Sequence, residues 1–447
     1  MSFIKKLLFC LVLLGCVGVA RAYAQAGGGM VILRDAETEH DLKTMMTPVF
    51  KQAGLVPDNV NIIIVESDEM NSFVAGGQNI FLYTRLILDT SNAAELLGVM
   101  AHETGHIADG HLFRGAIDAS NLSVEAILAD LLGVAVGIAG RSPDAGIAIG
   151  AGGNNMVSRL YLRHTRTQEG SADRAGVRFL QGAGLPVTGF LSFMKKLASQ
   201  ELLPETEQSA YLQTHPLTQD RIDALQHAVD TGPPGKIPPG WDEMHARIVA
   251  KLRGYLYPNR ELAIHDNSIA TRYGHAVAWF RNDRPDKALD TLAPLIKAEP
   301  QNPFFEELKG QILYENGHIE ESIPPYAEAV KLAPWSGLIR IAYAQSLLQS
   351  HEDVKARLAE AVRQLDLSLE TEKQNPEARH LLAIAYGKQG DIGQSRLQLA
   401  EEAVLENNAA FARREAALAK MLLKKGTPSF QRAQDILDLL GHEGKKG

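Results

Sequence analysis

Apolar positions are grouped in different ways along the chain, and each grouping predicts a different element. Leu7 to Val19 is an unbroken 13-residue apolar run behind Lys5 and Lys6. Its length falls short of a comfortable bilayer crossing. Further on, Ala93, Ala94, Leu96, Leu97, Val99, Met100 and Ala101 run with helical spacing. Asn92 suits an N-cap, with Glu95 three positions later in a capping-box arrangement, and Gly110 is the natural stop. A third stretch, Leu122–Gly140, is apolar but interrupted by Glu125 and Asp130, and Gly-rich sequence follows at Gly146–Gly153. Two carboxylates are costly in hydrocarbon, so no membrane helix is expected there. A mobile lid or a membrane-touching loop over residues 121–155 suits this composition.

The pattern breaks at Gly232-Pro233-Pro234-Gly235-Lys236-Ile237-Pro238-Pro239-Gly240, which can be neither helix nor central strand. It reads as a linker (232–240) between a domain at 27–231 and another at 241–447. Beyond it the small and large positions recur. Gly310, Leu313, Gly317, Ser322, Tyr326, Ala329 and Pro334 mark one unit, and Ala276, Trp279, Ala288, Leu292 and Pro300 take equivalent places about 34 residues earlier. A further copy holds Ala383, Tyr386, Gly390, Ser395 and Leu399. Between them Ala344 and Leu347 begin a copy stretched by about eight residues near Leu358–Leu369. This pattern resembles the tetratricopeptide repeat. Small residues let paired helices approach, large ones fill the groove, and the terminal proline stops the second helix. Four units behind a helix at Trp241–Tyr257 are expected to form a curved stack whose concave face binds protein segments.

Composition narrows the class. Hydrophobic residues are 45% and charged residues 22%, which excludes wholesale disorder. Lys and Arg total 45 against 53 Asp and Glu, a net charge of −8, so nucleic acid is not an expected partner. Small residues at Ala20-Arg21-Ala22 and Ala24-Gln25-Ala26 complete a secretory signal over residues 1–26. Leu13-Leu14-Gly15-Cys16 offers an alternative, a lipoprotein anchored to membrane at Cys16. Cys10 and Cys16 are the two cysteines, so the mature chain has no disulfide to form.

The sharpest chemical signal is His102-Glu103-Thr104-Gly105-His106. Positions four apart share a helix face, so both imidazoles can grip one ion. Glu103 points beside that ion and can act as general base toward a water, the arrangement of a zinc hydrolase. His111 lies about 140° around the helix from His106 and points away unless the chain turns sharply at Gly110. A better third ligand is Glu169, with Asp173 four residues on along the same face, placed to accept from the far nitrogen of a ligating histidine.

The zinc helix followed by Thr165-Arg166-Thr167-Gln168-Glu169-Gly170-Ser171-Ala172-Asp173 resembles peptidase family M48. Asn71–Gly77 with Asn79-Ile80-Phe81-Leu82-Tyr83, and His215-Pro216-Leu217-Thr218-Gln219-Asp220-Arg221-Ile222, resemble two further segments of that family. The resemblance implies a mainly α fold: a gluzincin-type metalloprotease domain of helices and a small β-sheet, followed by the α-solenoid of repeats. It implies one zinc ion per chain on His102, His106 and Glu169, with Glu103 as base. It implies a place for His215 over the metal, as an inhibitory fourth ligand or as a donor to the oxyanion. Arg221 would order that region by pairing with Asp173. Ile80, Phe81, Leu82 and Tyr83 would form the sheet edge that pairs with extended substrate.

The secretory signal and the repeats together resemble a periplasmic branch of the family. That implies unfolded or partly assembled protein substrates, contact with the outer-membrane assembly machinery through the repeats, and quality control of outer-membrane β-barrel proteins. The competing function is a chaperone or scaffold whose protease site is latent.

Overall fold

The computed structural model describes residues 31–111, 165–200 and 208–443. The expected secretory signal, Cys16 and the segment at 121–155 lie outside these residues.

Four strands form one sheet: β1 (Val31–Leu33), β2 (Asn61–Glu66), β3 (Ser72–Ala75) and β4 (Asn79–Tyr83). Their order is β1-β2-β4-β3. β2 and β4 run parallel, from Asn61 opposite Asn79 to Val65 opposite Tyr83. β3 and β4 are antiparallel, with Phe73 opposite Phe81. Their hairpin turns through Gly76 and Gly77, both at positive φ, the conformation that glycine adopts without steric cost. β4 is therefore an interior strand, and all five of its residues are buried. The expected substrate edge at Ile80–Tyr83 is corrected: β2 and β3 already take both of its backbone sides, and β3 is the outer strand there.

Among the described residues seven helices accompany the sheet: α1 (Ala36–Gln52), α2 (Thr84–Asp89), α3 (Ala93–Ala108), α4 (Arg166–Gly182), α5 (Thr188–Ala198), α6 (Ala210–Thr214) and α7 (Gln219–Thr231). Helix α3 is buried along almost its whole length. It packs against α4 on one side and α5 on another. Glycines permit both approaches. A Cβ on Gly105 would lie 2.6 Å from the Ala172 carbonyl oxygen of α4, and one on Gly98 would lie 2.5 Å from Cα of Phe190 in α5.

Residues 232–240 are non-helical, as their prolines require. They do not free the helices beyond them from the first domain. The Lys236 N–H donates to the Gly184 carbonyl at 2.9 Å, and the next helix, α8 (Trp241–Leu256), buries Trp241, Ile248 and Leu252 in the core of the preceding domain. Apolar burial thus carries the first domain's packing past the linker, and the boundary at 240 is one of sequence pattern alone.

After α8 and α9 (Pro258–Leu262) come α10 (Ile269–Arg281), α11 (Pro285–Ala298), α12 (Pro303–Glu315), α13 (Ile319–Leu332), α14 (Gly337–Gln349), α15 (Val354–Thr371), α16 (Pro376–Gln389), α17 (Ile392–Leu405), α18 (Ala409–Leu422) and α19 (Pro428–Glu443). They stack as helix pairs, the solenoid the repeat predicts. Gly310 carries out its expected role: a Cβ there would meet the Tyr326 ring at 2.8 Å. Two details differ from expectation. The pair α14/α15 begins at Gly337 and the next at Pro376, so the stretch is five residues beyond 34 instead of eight. A further pair, α18/α19, closes the described array on an alanine-rich contact of Ala412, Ala416, Ala419 and Ala433.

The first domain also grips the repeats. Ala36 of α1 joins a cluster with Phe304, Val330 and Ile339. His40 stacks on Trp335, centroids 4.0 Å apart. Arg34 pairs with Glu372 at 2.8 Å.

Candidate metal centre

Helix α3 begins where Asn92 accepts from the Glu95 N–H at 3.0 Å. The Glu95 carboxylate reaches one residue further back than expected, to the Ser91 N–H at 2.8 Å. Helix α4 begins on a reciprocal capping box between Thr165 and Gln168. Each cap sets the rotation at which its helix presents functional side chains. At the contact between α3 and α4, Gly105 faces Ala172, and Gly176 faces the backbone of Ala101 and His102. No bulk separates the backbones, so Glu169 reaches the two histidines.

His102, His106, Glu169 and His215 are all buried, and each offers one ligand atom within 4.8 Å of the others. Nε2 of His102 and Nε2 of His106 are 3.1 Å apart. Glu169 lies 3.4 Å from His102 Nε2 and 3.3 Å from His106 Nε2. His215 Nδ1 lies 3.1 Å from Glu169 Oε1. This donor set fits a tetrahedral divalent ion.

The surroundings orient the rings. Nδ1 of His102 is 2.9 Å from Asp173 Oδ1. An ionised carboxylate only accepts, so Nδ1 carries the proton and the Nε2 lone pair faces the other donors. His215 obeys the same logic reversed. Its Nε2 meets the Ser72 carbonyl oxygen at 3.1 Å, so Nε2–H donates and the Nδ1 lone pair faces inward. Arg221 donates Nε to Asp173 Oδ2 at 2.6 Å and Nη2 to Oδ1 at 2.8 Å. Its Nη1 lies 2.8 Å from Glu169 Oε2.

Burial alone would raise the pKa of Glu169, but His215 and His102 overcome it and hold the carboxylate far below its ordinary range. Burial likewise opposes ionisation of Asp173, and Arg221 and His102 keep it low. For Glu103 burial wins. It pushes the carboxyl above the usual carboxylate range, against the attraction of His215 and His102 and the hydroxyl of Ser72. Both of its oxygens are buried, with His215 Nε2 at 3.7 Å. An acid raised in this way, next to a cation site, is suited to take a proton from water.

The structure thus brings together His102, Glu103, His106, Glu169, Asp173, His215 and Arg221, which come from segments far apart in the chain. His111 stays outside the donor group, its ring centroid 5.4 Å from that of His106. Ile80, Phe81, Leu82 and Tyr83 lie in the sheet interior. Sequence reasoning missed three contributors. Ser72 supplies the carbonyl that holds His215. Asn71 Oδ1 accepts from the Ser72 N–H at 2.9 Å and from the Thr214 hydroxyl at 3.2 Å. Tyr211 stacks on His215, centroids 4.5 Å apart and planes 26° apart. Of these, Tyr211 carried a faint signal, its place one helical turn ahead of His215.

A histidine pair one helical turn apart, a glutamate between them and a distant glutamate completing the donors match the HExxH metal-binding pattern. Residues 36–229 match the model of Peptidase family M48. The chain is 26% identical over 310 residues to the Beta-barrel assembly-enhancing protease of Escherichia coli (strain K12), covering 67% of this chain and 63% of that protein. To the protein of that name from Yersinia pestis it is 26% identical over 280 residues, covering 61% and 57%. To the Metalloprotease LoiP of Escherichia coli (strain K12) it is 27% identical over 167 residues, covering 37% and 62%. The chain spans less than two thirds of the length of each of these relatives. Among the described residues no helix is long and apolar enough to cross a membrane.

Proposed function

We propose that the chain is a zinc-dependent endopeptidase that cuts unfolded or misassembled proteins, with the repeats as a docking arm. The observation that carries this is the buried donor set with the buried carboxylate of Glu103 beside it. Nitrogen and carboxylate donors at tetrahedral spacing favour zinc. The names of two relatives speak of β-barrel assembly, which supports β-barrel proteins as substrates and their assembly machinery as the partner of the repeats. With the secretory signal expected at residues 1–26, the setting we propose is the periplasm, at the outer membrane.

A bound ion supplies Lewis acidity and charge stabilisation. Glu103 accepts the proton of the attacking water and returns it to the leaving amine. His102 is held in one tautomer by Asp173, and Arg221 locks Asp173 and Glu169 in place. Extended substrate pairs with the outer edge of β3, the strand beside the site that β4 leaves open. β-augmentation of this kind recognises backbone more than side chains, which suits varied unfolded substrates. Glu103→Gln should abolish cleavage of an unfolded protein while retaining metal. Cleavage at wild-type rate would reject Glu103 as base.

A latent form of the same site is favoured by one contact. The hydrogen bond from His215 Nε2 to the Ser72 carbonyl directs the Nδ1 lone pair toward the other donors, which suits a fourth ligand better than an oxyanion donor. It also occupies an acceptor on β3.

A further inference from the structure

Tyr211 is one of the largest fully buried side chains, and among the described residues its hydroxyl has no hydrogen-bond partner. A buried tyrosine hydroxyl ordinarily finds one, and leaving it unpaired costs about 1–3 kcal/mol. The ring contacts do not need that hydroxyl. The stack on His215 at 4.5 Å and the edge contact with Phe193 at 5.8 Å would be made equally by phenylalanine, without the penalty. The hydroxyl is therefore placed for a group that arrives.

Its setting says which group. Its ring lies against His215, a member of the buried donor group with His102, His106 and Glu169. Glu169 and Asp173 are already paired with Arg221, which is itself a donor, and Glu103 serves as the base. An incoming acceptor oxygen is what the hydroxyl lacks. Tyr211 is also anchored independently of His215, because its N–H donates to the Met70 carbonyl at 2.9 Å and its ring rests on Phe193. It keeps its place if His215 swings away.

We infer that Tyr211 is a catalytic residue of the peptidase proposed above, its hydroxyl donating a hydrogen bond to the oxygen of the scissile peptide carbonyl as that oxygen gains charge. The balance is simple. The water oxygen bonds to the carbonyl carbon while the carbonyl π pair moves onto oxygen, and Glu103 takes the water proton. The C–N bond then breaks as that proton passes to the amine. Tyr211 lends its hydrogen bond throughout and transfers no proton.

The test compares full-length wild type, Tyr211→Phe and Tyr211→Leu, each with its zinc content measured. Cleavage of an internally quenched peptide gives kcat and KM. Affinity for a phosphinic analogue of that peptide, whose tetrahedral oxygens mimic the charged carbonyl oxygen, is measured separately. Tyr211→Phe should keep its zinc and its KM, lose about 10²-fold in kcat, and lose a similar factor in phosphinic affinity, the range expected for one oxyanion donor. Wild-type kcat and phosphinic affinity in Tyr211→Phe would overturn the inference. A loss confined to Tyr211→Leu would overturn it too, leaving the ring as a support for His215. If the wild type holds zinc but cuts nothing, the peptidase proposal fails on its own account. The phosphinic affinities then still decide the role of the hydroxyl, and equal values overturn it.

Discussion

Behind the metal donors, Asp173 accepts from His102 on one side and Arg221 on the other. Removing one member of a buried charged pair leaves the other unpaired, at a cost of about 3–5 kcal/mol. His215 is held differently, by a carbonyl, a stacked ring and the donor group itself. If it acts as an inhibitory ligand, His215→Ala should raise the rate of cleavage of an unfolded protein several-fold. Unchanged or lost activity would reject latency and return His215 to the role of oxyanion donor. At this scale the sequence was legible where spacing is local. His102, Glu103 and His106 share one helix, as do Glu169 and Asp173. Ser72 and Tyr211 were hidden, because their roles depend on contacts between segments: the Ser72 carbonyl meets a histidine 143 positions away. Backbone carbonyls carry no residue-type signal at all.

At the scale of elements, the site depends on how closely α3 and α4 pack. Gly105 sits inside the HExxH motif, where neither zinc binding nor base chemistry asks for glycine. The structure gives the reason, since the Ala172 backbone occupies the space of a side chain. Gly105→Ala should force the helices apart, and overpacking of this kind costs about 1–3 kcal/mol. The expected outcome is a melting temperature several degrees lower and faster loss of zinc to a chelator. A variant with wild-type chelation kinetics would show that the packing does not set the donor geometry. The sheet carries the main misreading. An apolar five-residue run such as Asn79–Tyr83 fits an edge or an interior strand equally well from sequence, since burial on both faces is a tertiary fact. The antiparallel return through Gly76 and Gly77 made β3 the outer strand.

Across the whole molecule, a charged layer joins the first domain to the repeats. Asp35, Glu37, Glu39 and Asp41 of the α1 region face Lys251 and Arg247 of α8, Tyr273 of α10 and Glu307 of α12. Lys251 pairs with Asp35, and at 3.2 Å with Glu37. Carboxylates outnumber cations there. Burial, reinforced by Asp35, Glu37 and Glu39 against Lys251, pushes Glu307 up to about 8. A carboxyl with a raised folded pKa favours the folded state when protonated, so its contribution fades as pH rises through that value. His245 has the opposite sign. Burial lowers it to about 4, so its neutral form, bonded to Thr90 at 2.8 Å, contributes fully above 6.5 and is lost toward pH 4. With zinc saturating, the melting temperature should fall between pH 6.5 and 8.5, and Glu307→Gln should fall less. Parallel curves for the two proteins would contradict this. The repeat period made the solenoid legible, and the prolines made the break at 232–240 legible. The continuity across that break was not, because Trp241, Ile248 and Leu252 have the same helical spacing whichever domain they pack against.

The central claim is that His102, His106 and Glu169 hold a zinc ion. The direct measurement is the metal content of the purified protein supplied with zinc, wild type against Glu169→Gln. Near one zinc per chain in the wild type and a sharp loss in Glu169→Gln is the predicted result. Full zinc in Glu169→Gln would remove Glu169 from the ligand set, and no zinc in either protein would contradict the metallopeptidase and leave the repeat-bearing scaffold in its place.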